Sequence, residues 1–484
     1  MNKSAYIPLG GGIDLVTPPR QMKPGQCLYA VNYECPISGG YRRIAGYTAL
    51  GAVVPGTGPL LGVATFADDH YAIRKNGTTA KLYRLDGTSW VEVGDVTEGR
   101  YEFVEGNFLA TEAGRALYMV GGGKPYELKG GTLTEITNAQ AGAKYIAIHR
   151  NHLMLGYPQG SVQHSSVGDP MNWDAATGSA GEIGVQQALT GLLPGTGGVL
   201  HVLCRDSVKT LYGSSSANFE LRTTIPNSGA KPYSAQSLMQ PYFVAERGIT
   251  NLQATDQFGD FQPLQAGAML EPLFTEDGWA DRVVCSVVSK RRAQYRVFFD
   301  DGSGVYMNPT GATTVLFPHA PVVAHSGELD SGEEVVLFGD ANGQVYRLGN
   351  NADSFAGSPI SAFLTLAYTD LRKPAERKRF RRVFWDVRSG SNAAITFRPD
   401  FDFGGIESAP HLRQTLSFLL GGGLWDVARW DEFAWSAPVV GQEAHDITGS
   451  GTSINFAIYS NSISPPHEIL GYDLTYSDRR LRRG

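Results

Sequence analysis

Between about Leu60 and Leu348, short runs of β-branched, aromatic and aliphatic residues repeatedly meet a Gly, Asp or Asn turn and are answered by a second such run. Seven of these pairs stand out: AKLYRLDGTSWVEVG (80–94), ALYMVGGGKPYEL (116–128), YIAIHRNHLMLG (145–156), HVLCRDSVKTLYG (201–213), YFVAERGITNLQA (242–254), YRVFFDDGSGVYM (295–307) and VVLFGDANGQVYRLG (335–349). Alternation such as Val91, Glu92, Val93 or Tyr346, Arg347, Leu348 suits half-buried antiparallel strands. Asp-Gly and Asn-Gly supply the positive φ that tight hairpins need. The pairs recur about every 40 residues, the spacing of four-stranded propeller blades. They share shape and not residues, and no WD or kelch signature repeats, so a sandwich of unrelated hairpins is the alternative. The expected fold class is all-β: a β-propeller-like domain with an irregular N-terminal arm and a C-terminal β-sandwich-like domain.

The flanks break this rhythm. Residues 1–55 contain PPRQMKPGQ and the compact run SGGYRRIAGY (38–47), whose prolines and paired glycines predict an irregular arm. The turn-rich segment NNADSFAGSP after Gly349 marks a boundary. The predicted division is therefore 1–55 arm, 56–350 propeller-like domain and 351–484 C-terminal β-rich domain.

Composition supports a strand-and-turn reading. The chain has 484 residues with 59 Gly, and charged residues are 18%, below the usual quarter. Its 42% hydrophobic share can fill packed interiors, so the glycines predict turns rather than disorder. A formal charge of −6 argues against general affinity for nucleic acid or anionic membrane. Cys27, Cys35, Cys204 and Cys285 are too sparse for a disulfide framework or a zinc set and are expected as free thiols in a reducing compartment. The N-terminus lacks an apolar signal-peptide core and no run is long enough to span a bilayer, so a soluble, unexported chain is expected.

Catalytic signatures are missing. No G-x-S-x-G or H-E-x-x-H occurs, GGGKP (121–125) lacks phosphate-loop spacing, and PGTGPLLG (55–62) has the wrong spacing for a dinucleotide fingerprint. His149 and His152 form H-x-x-H in a predicted turn without a companion carboxylate or thiolate pair, which favours structural histidines over a metal site. Asp400 and Asp402, two apart in RPDFDFGG, share a strand face and could serve a glycosidase, or form a solvated edge. No catalytic residue, metal ligand or cofactor is assigned.

Two clusters remain. Arg372, Lys373, Arg377, Lys378, Arg379, Arg381 and Arg382 put seven cations in eleven residues, just before the strand signature VFWDV. They suit a solvated strand entrance, a subunit or adaptor interface against acidic stretches such as Glu328, Asp330, Glu333 and Glu334, or nucleic-acid contact. Trp425, Trp430 and Trp435 are spaced five apart, which matches neither a helix face nor a strand side; aromatic packing is favoured over a sugar platform.

The N-terminal run GGIDLVTPPRQMKPGQCLYAVNYECPISGGYRRIAGY (11–47), with Gly40, Tyr41, Arg42, Arg43 and Gly46 at its heart, resembles the opening of tail nozzle or tail hub proteins of short-tailed bacteriophages, the packaged-DNA stabilisation type. SSVGDPMNWD (165–174), 189–221, AERGITNLQATDQFGDF (245–261), WDVARWDEFAW (425–435) and YSDRRLRRG (476–484) are similar to later segments of such proteins. The resemblance implies a non-enzymatic virion protein made in the bacterial host cytoplasm. It further implies a hexameric ring below the portal-adaptor protein, meeting a tail needle, fibres or spikes, with duplex DNA passing through the lumen without specific binding. A glycan-cleaving propeller enzyme and a generic propeller interaction module are the alternatives.

Overall fold

A computed structural model of the chain describes residues 2–176, 178–254, 261–349, 352–389, 393–403, 414–418 and 440–479. The chain divides into two compact units, one of residues 49–303 and 319–348, the other of residues 1–48, 304–318 and 349–484. The sequence-based division cut once at each end; the structure instead groups the N-terminal stretch with the C-terminal part. The reason is strand pairing: Lys3–Pro8 runs antiparallel along His467–Asp478, Lys3 opposite Tyr476.

The first unit is a β-propeller. Its sheets are meanders in which each strand pairs with the next, beginning with Thr57–Phe66, Asp69–Asn76, Thr79–Asp86 and Ser89–Val96. Four further four-stranded sheets follow, over 102–135, 145–184, 189–225 and 236–265. The hairpin Val283–Ser289 with Gln294–Phe299 is next, then the meander Val323–Glu328, Glu334–Gly339, Val345–Leu348. The leading strands of these seven sheets, Thr57–Phe66, Glu102–Asn107, Tyr145–His149, Leu189–Pro194, Gln236–Leu238, Val283–Ser289 and Val323–Glu328, touch in succession, and the seventh meets the first. They line the axis of a closed ring.

Each of the seven predicted hairpins falls in a different sheet, the sixth running across Ser303, where the chain passes to the other unit. Adjacent sheets are held by apolar layers. Ile73, Leu82, Leu117, Met119 and Leu128 fill the gap between the first and second, and Val202, Leu200, Met154 and Val162 that between the third and fourth. The seam between last and first sheets combines Val63, Ala72 and Tyr83 with Val335, Leu337 and Val345. The segment before the first sheet closes the ring: Leu50 N–H donates to the Val345 carbonyl (2.8 Å) and Val54 N–H to Gly343 (3.0 Å).

The second unit is a β-sandwich. One sheet runs in the order Tyr33–Glu34, Tyr41–Arg43, His467–Asp478, Lys378–Ser389, Val440–Gly451, with Lys3–Pro8 also on His467–Asp478. The other includes Gly311–Leu316, Cys27–Val31, Ile360–Leu366, Ile454–Ser462, Ala393–Phe401 and Gln414–Phe418. Trp385 of the first sheet, 1% exposed, packs against Phe397 and Phe456 of the second and Tyr472 of its own, at ring distances of 5.1–5.4 Å. Alternation along Lys378–Ser389 puts Phe380, Val383, Trp385 and Val387 into that interior.

The Gly40 to Gly46 motif is the keystone of this sandwich. Arg43 is fully buried; its Nη1 donates to the Ser462 carbonyl and hydroxyl (both 2.8 Å) and its Nη2 to the Ser464 carbonyl. Arg42 pairs with buried Glu34 at 2.8 Å, and the buried Tyr41 hydroxyl donates to the Gly25 carbonyl at 3.0 Å. The glycines permit close backbone approach: a Cβ on Gly40 (φ +83°) would lie 2.7 Å from the Ile469 oxygen, and one on Gly46 1.9 Å from that of Ser354. Arg43→Lys, which loses the planar fork, and Gly46→Ala, which collides with backbone, should each lower stability by at least about 2 kcal/mol in urea unfolding followed by circular dichroism. Wild-type midpoints for both would contradict this role.

Candidate functional site

The basic cluster does not act as one patch. The Lys378 side chain is buried, and its ammonium donates to the carbonyls of Lys373 (2.6 Å), Glu376 (3.0 Å) and Thr452 (2.9 Å), fixing the turn that enters the strand. Lys373 pairs with Glu376 (2.6 Å) and Arg382 with Asp446 (2.7 Å), while Arg377 donates to the Ser450 carbonyl (3.2 Å). Arg372, Arg379 and Arg381 are exposed and carry no ion pair among the described residues. Arg381 is set outward by a register shift between Phe380 and Arg382, where the strand carries an extra residue. Arg372, with Arg20, Tyr6, Met22, Tyr368 and Phe403, lines a groove of about 1020 Å³ in the sandwich unit.

The acidic stretch proposed as its complement is already engaged within its own unit. Glu328 pairs with Lys290 (2.6 Å), Asp330 with Arg115 (2.8 Å) and Glu333 with Arg347 (2.5 Å), and Glu334 accepts from the Ser289 hydroxyl and the Arg291 amide. Any acid that meets the free arginines must come from elsewhere.

Asp400 and Asp402 are likewise committed. Asp400 is buried, accepting from the Tyr368 hydroxyl and the Phe401 amide. Asp402 takes the amide (2.6 Å) and hydroxyl (2.7 Å) of Thr452. Burial would raise its pKa, but these bonds outweigh it and hold the carboxyl below its usual range. A general acid needs the opposite shift.

His149 and His152 flank a tight hairpin whose corner residues, Arg150 and Asn151, both have positive φ (50° and 60°). Both rings are buried; His152 packs edge-on to His164 (4.8 Å), and all three histidines touch Phe219. Among the described residues no group of three or more His, Cys, Asp or Glu is placed to hold a metal ion. All four cysteines are buried free thiols, and burial pushes those of Cys35 and Cys285 up to about 12. Trp425, Trp430 and Trp435 lie outside the described residues.

The concentration of polar chemistry that the sequence did not reveal is on the propeller axis. A cavity of about 250 Å³ is walled by residues of all seven leading strands and the segments that enter two of them. Arg100, Glu102, Thr190, Gln236, Ser286 and His325 face it. The Arg100 guanidinium lies over the Tyr233 ring, 3.6 Å from its centre. Burial raises the Glu102 carboxyl to about 7, against the opposing pull of Arg100 and a hydrogen bond from the Ile146 amide. Gln236 Nε2 donates to the Ser286 carbonyl (3.0 Å), and the Ser286 hydroxyl donates to the Tyr233 backbone carbonyl (2.9 Å). The available signal was GRYEF (99–103), opposite charges two residues apart at the entrance to a strand.

No family model and no curated protein matches this chain. Solved structures match it distantly. A streptogramin B lyase is 12% identical over 63% of this chain and 97% of its own, with a TM-score of 0.43. The extracellular domain of a putative hybrid two-component system from B. thetaiotaomicron is 9% identical over 66% of this chain, with a TM-score of 0.45. Chaetomium thermophilum Raptor is 9% identical over 64%, also at 0.45. The chain spans 44% and 30% of the lengths of the last two. The propeller fold of the first unit rests on its strand order and not on these matches. Likeness at this distance carries nothing about chemistry.

The buried titratable groups of this propeller give two opposed pH effects. Burial holds His149, His201 and His325 down to about 4, so the folded state keeps them neutral. The unfolded chain takes up those protons near pH 6.5. Their contribution is complete above about pH 6.5 and is lost as pH falls toward 4. The melting temperature should therefore drop steeply across that window, and His149→Phe should flatten the drop; an unchanged slope would contradict it. Glu102 has the reverse sign, because its raised folded pKa makes ionisation unfavourable as pH rises through about 7. Glu102→Gln should stabilise the protein by about 2 kcal/mol at pH 8 and by little at pH 5, measured by denaturant titration at both values.

Proposed function

We propose that this β-propeller protein is a structural subunit of a bacteriophage tail, of the nozzle or hub type. In this reading six copies form a ring beneath the portal-adaptor protein that retains packaged DNA and conducts it during ejection. Ordered similarity along the sequence supports the family. The observation that carries the assembly role is the trio Arg372, Arg379 and Arg381: exposed, without an ion pair among the described residues, and with Arg372 on a groove containing Tyr6, Met22, Tyr368 and Phe403. Arginine beside aromatic and methionine side chains is the composition enriched in protein interfaces.

A conduit for duplex DNA cannot grip phosphates along its bore, since each tight cation–phosphate contact resists sliding. The formal charge of −6 per copy suits a non-adhesive lumen, and the arginines are assigned to a neighbouring subunit or the adaptor. The tail needle and the fibres or spikes would dock on the remaining loops. No cofactor is called for, and the place of action is the virion, after folding in the host cytoplasm.

The propeller itself favours a second reading, a monomeric interaction module that recruits a protein through its loop faces. The test that separates them is Arg379→Glu with Arg381→Glu. In the ring reading the double variant keeps the wild-type circular dichroism spectrum and fails to assemble into rings or tails by light scattering and negative-stain imaging. Assembly at wild-type level, with loss of DNA retention alone, would move these arginines to the lumen and overturn the assignment. A wild-type chain that stays monomeric with its adaptor present would favour the module.

A further inference from the structure

The axial cavity holds two opposite charges that do not meet. The Arg100 guanidinium rests on Tyr233 and has no hydrogen-bond acceptor among the described residues. The Glu102 carboxylate accepts the Ile146 amide and makes no ion pair with Arg100 among the described residues. Thr190, only 6% exposed, lines the same space, and its Oγ1 is without a hydrogen-bond partner. A confined cation, a confined anion and an unsatisfied hydroxyl each cost free energy unless something pairs with them.

We propose that the axial cavity of the propeller binds a small zwitterion of amino-acid type, its carboxylate on Arg100 and its ammonium on Glu102, with the Thr190 hydroxyl as a third polar contact. The complementarity is specific to a ligand with both charges. An anion alone would satisfy Arg100 and be repelled by Glu102; a cation alone would do the reverse; a neutral solute would leave both without a direct ionic contact. The volume of about 250 Å³ corresponds to roughly eight waters, enough for a ligand on the order of ten heavy atoms and too small for a nucleotide or an oligosaccharide. The walls add apolar contact from Val63, Phe103, Ile146 and Leu192. The site is separate from the surface arginines and independent of the ring reading.

Binding is linked to pH through Glu102. The other titratable groups around it are Arg100, Tyr101, Tyr145, Tyr233, Cys285 and His325. Burial raises the three tyrosines and the cysteine and lowers His325 to about 4, so none changes charge between pH 6 and 8. Ionised Glu102 is the form that receives an ammonium, so affinity rises with pH, by roughly tenfold from pH 6 to pH 8 for a group titrating near 7.

The experiment is calorimetric titration and thermal shift on the full chain at pH 8 with the twenty free amino acids, and with acetate and methylammonium as single-charge probes. At least one amino acid should bind with one-to-one stoichiometry, at least tenfold more tightly than either probe, and should weaken about tenfold at pH 6. Arg100→Gln and Glu102→Gln should each weaken it at least tenfold, and Thr190→Val by a smaller factor, with unchanged circular dichroism. No binding of any amino acid at millimolar concentration would overturn the proposal. So would acetate binding as tightly as the best amino acid, which marks a plain anion site. The probe comparison uses wild-type protein, so it decides the matter even if a variant misfolds.

Discussion

Everything in the propeller depends on closing its ring. A stack of twisted sheets left open would expose an apolar face at each end, and here those faces are the seam of Val63, Ala72 and Tyr83 against Val335, Leu337 and Val345. The closure is made by chain from before the first sheet, through the bonds of Leu50 and Val54 to the last. Local hairpins fix each blade, but only this long-range seam converts seven blades into one body with an axis. The axial cavity exists because of it: no single blade contains more than a fraction of its wall.

That dependence explains what could be read from the sequence. One hairpin per blade was legible because tight turns declare themselves through Gly, Asp and Asn, whose backbone freedom is intrinsic to the residue. The leading strands were harder to see. Val283–Ser289 and Leu189–Pro194 are buried over nearly their whole length, so they lack the alternation that marks a half-exposed strand. The axial charges were illegible for a related reason. Arg100 and Glu102 look like any solvated pair until closure brings Tyr233 and Ile146 beside them. The glycine-rich run from Gly40 to Gly46 was conspicuous in the sequence, yet the lack of room for a Cβ at Gly40 and Gly46 can be seen only in three dimensions.

The cationic run shows how charge density misleads. Counting residues treats Lys378 as equivalent to Arg379, while strand alternation sends one into a cage of carbonyls and leaves the other in water. The buried ammonium belongs to the fold, and the exposed guanidiniums are available to a partner. Similarly, Asp400 and Asp402 do not share a strand face as their spacing suggests: Asp400 lies in the strand Ala393–Phe401 and orders Tyr368, while Asp402 sits in the turn beyond it at positive φ (54°) and orders the Thr452 turn.

The pairing of Lys3–Pro8 with His467–Asp478 fixes a timetable for synthesis. Lys3–Pro8 is made more than 450 residues before its partner, while residues 49–348 can complete the propeller in between, interrupted only by the 304–318 excursion. Throughout that interval the N-terminal strand offers an unpaired edge, a hazard for wrong pairing with another nascent chain. Its sequence is suited to the wait. Lys3, Ser4, Gly10, Gly11 and Gly12 surround a short apolar centre, and Pro8 at its end cannot donate to a stray sheet. Neither unit can be cut out as one contiguous piece, so a shortened chain that stops before residue 467 loses the partner of its own beginning.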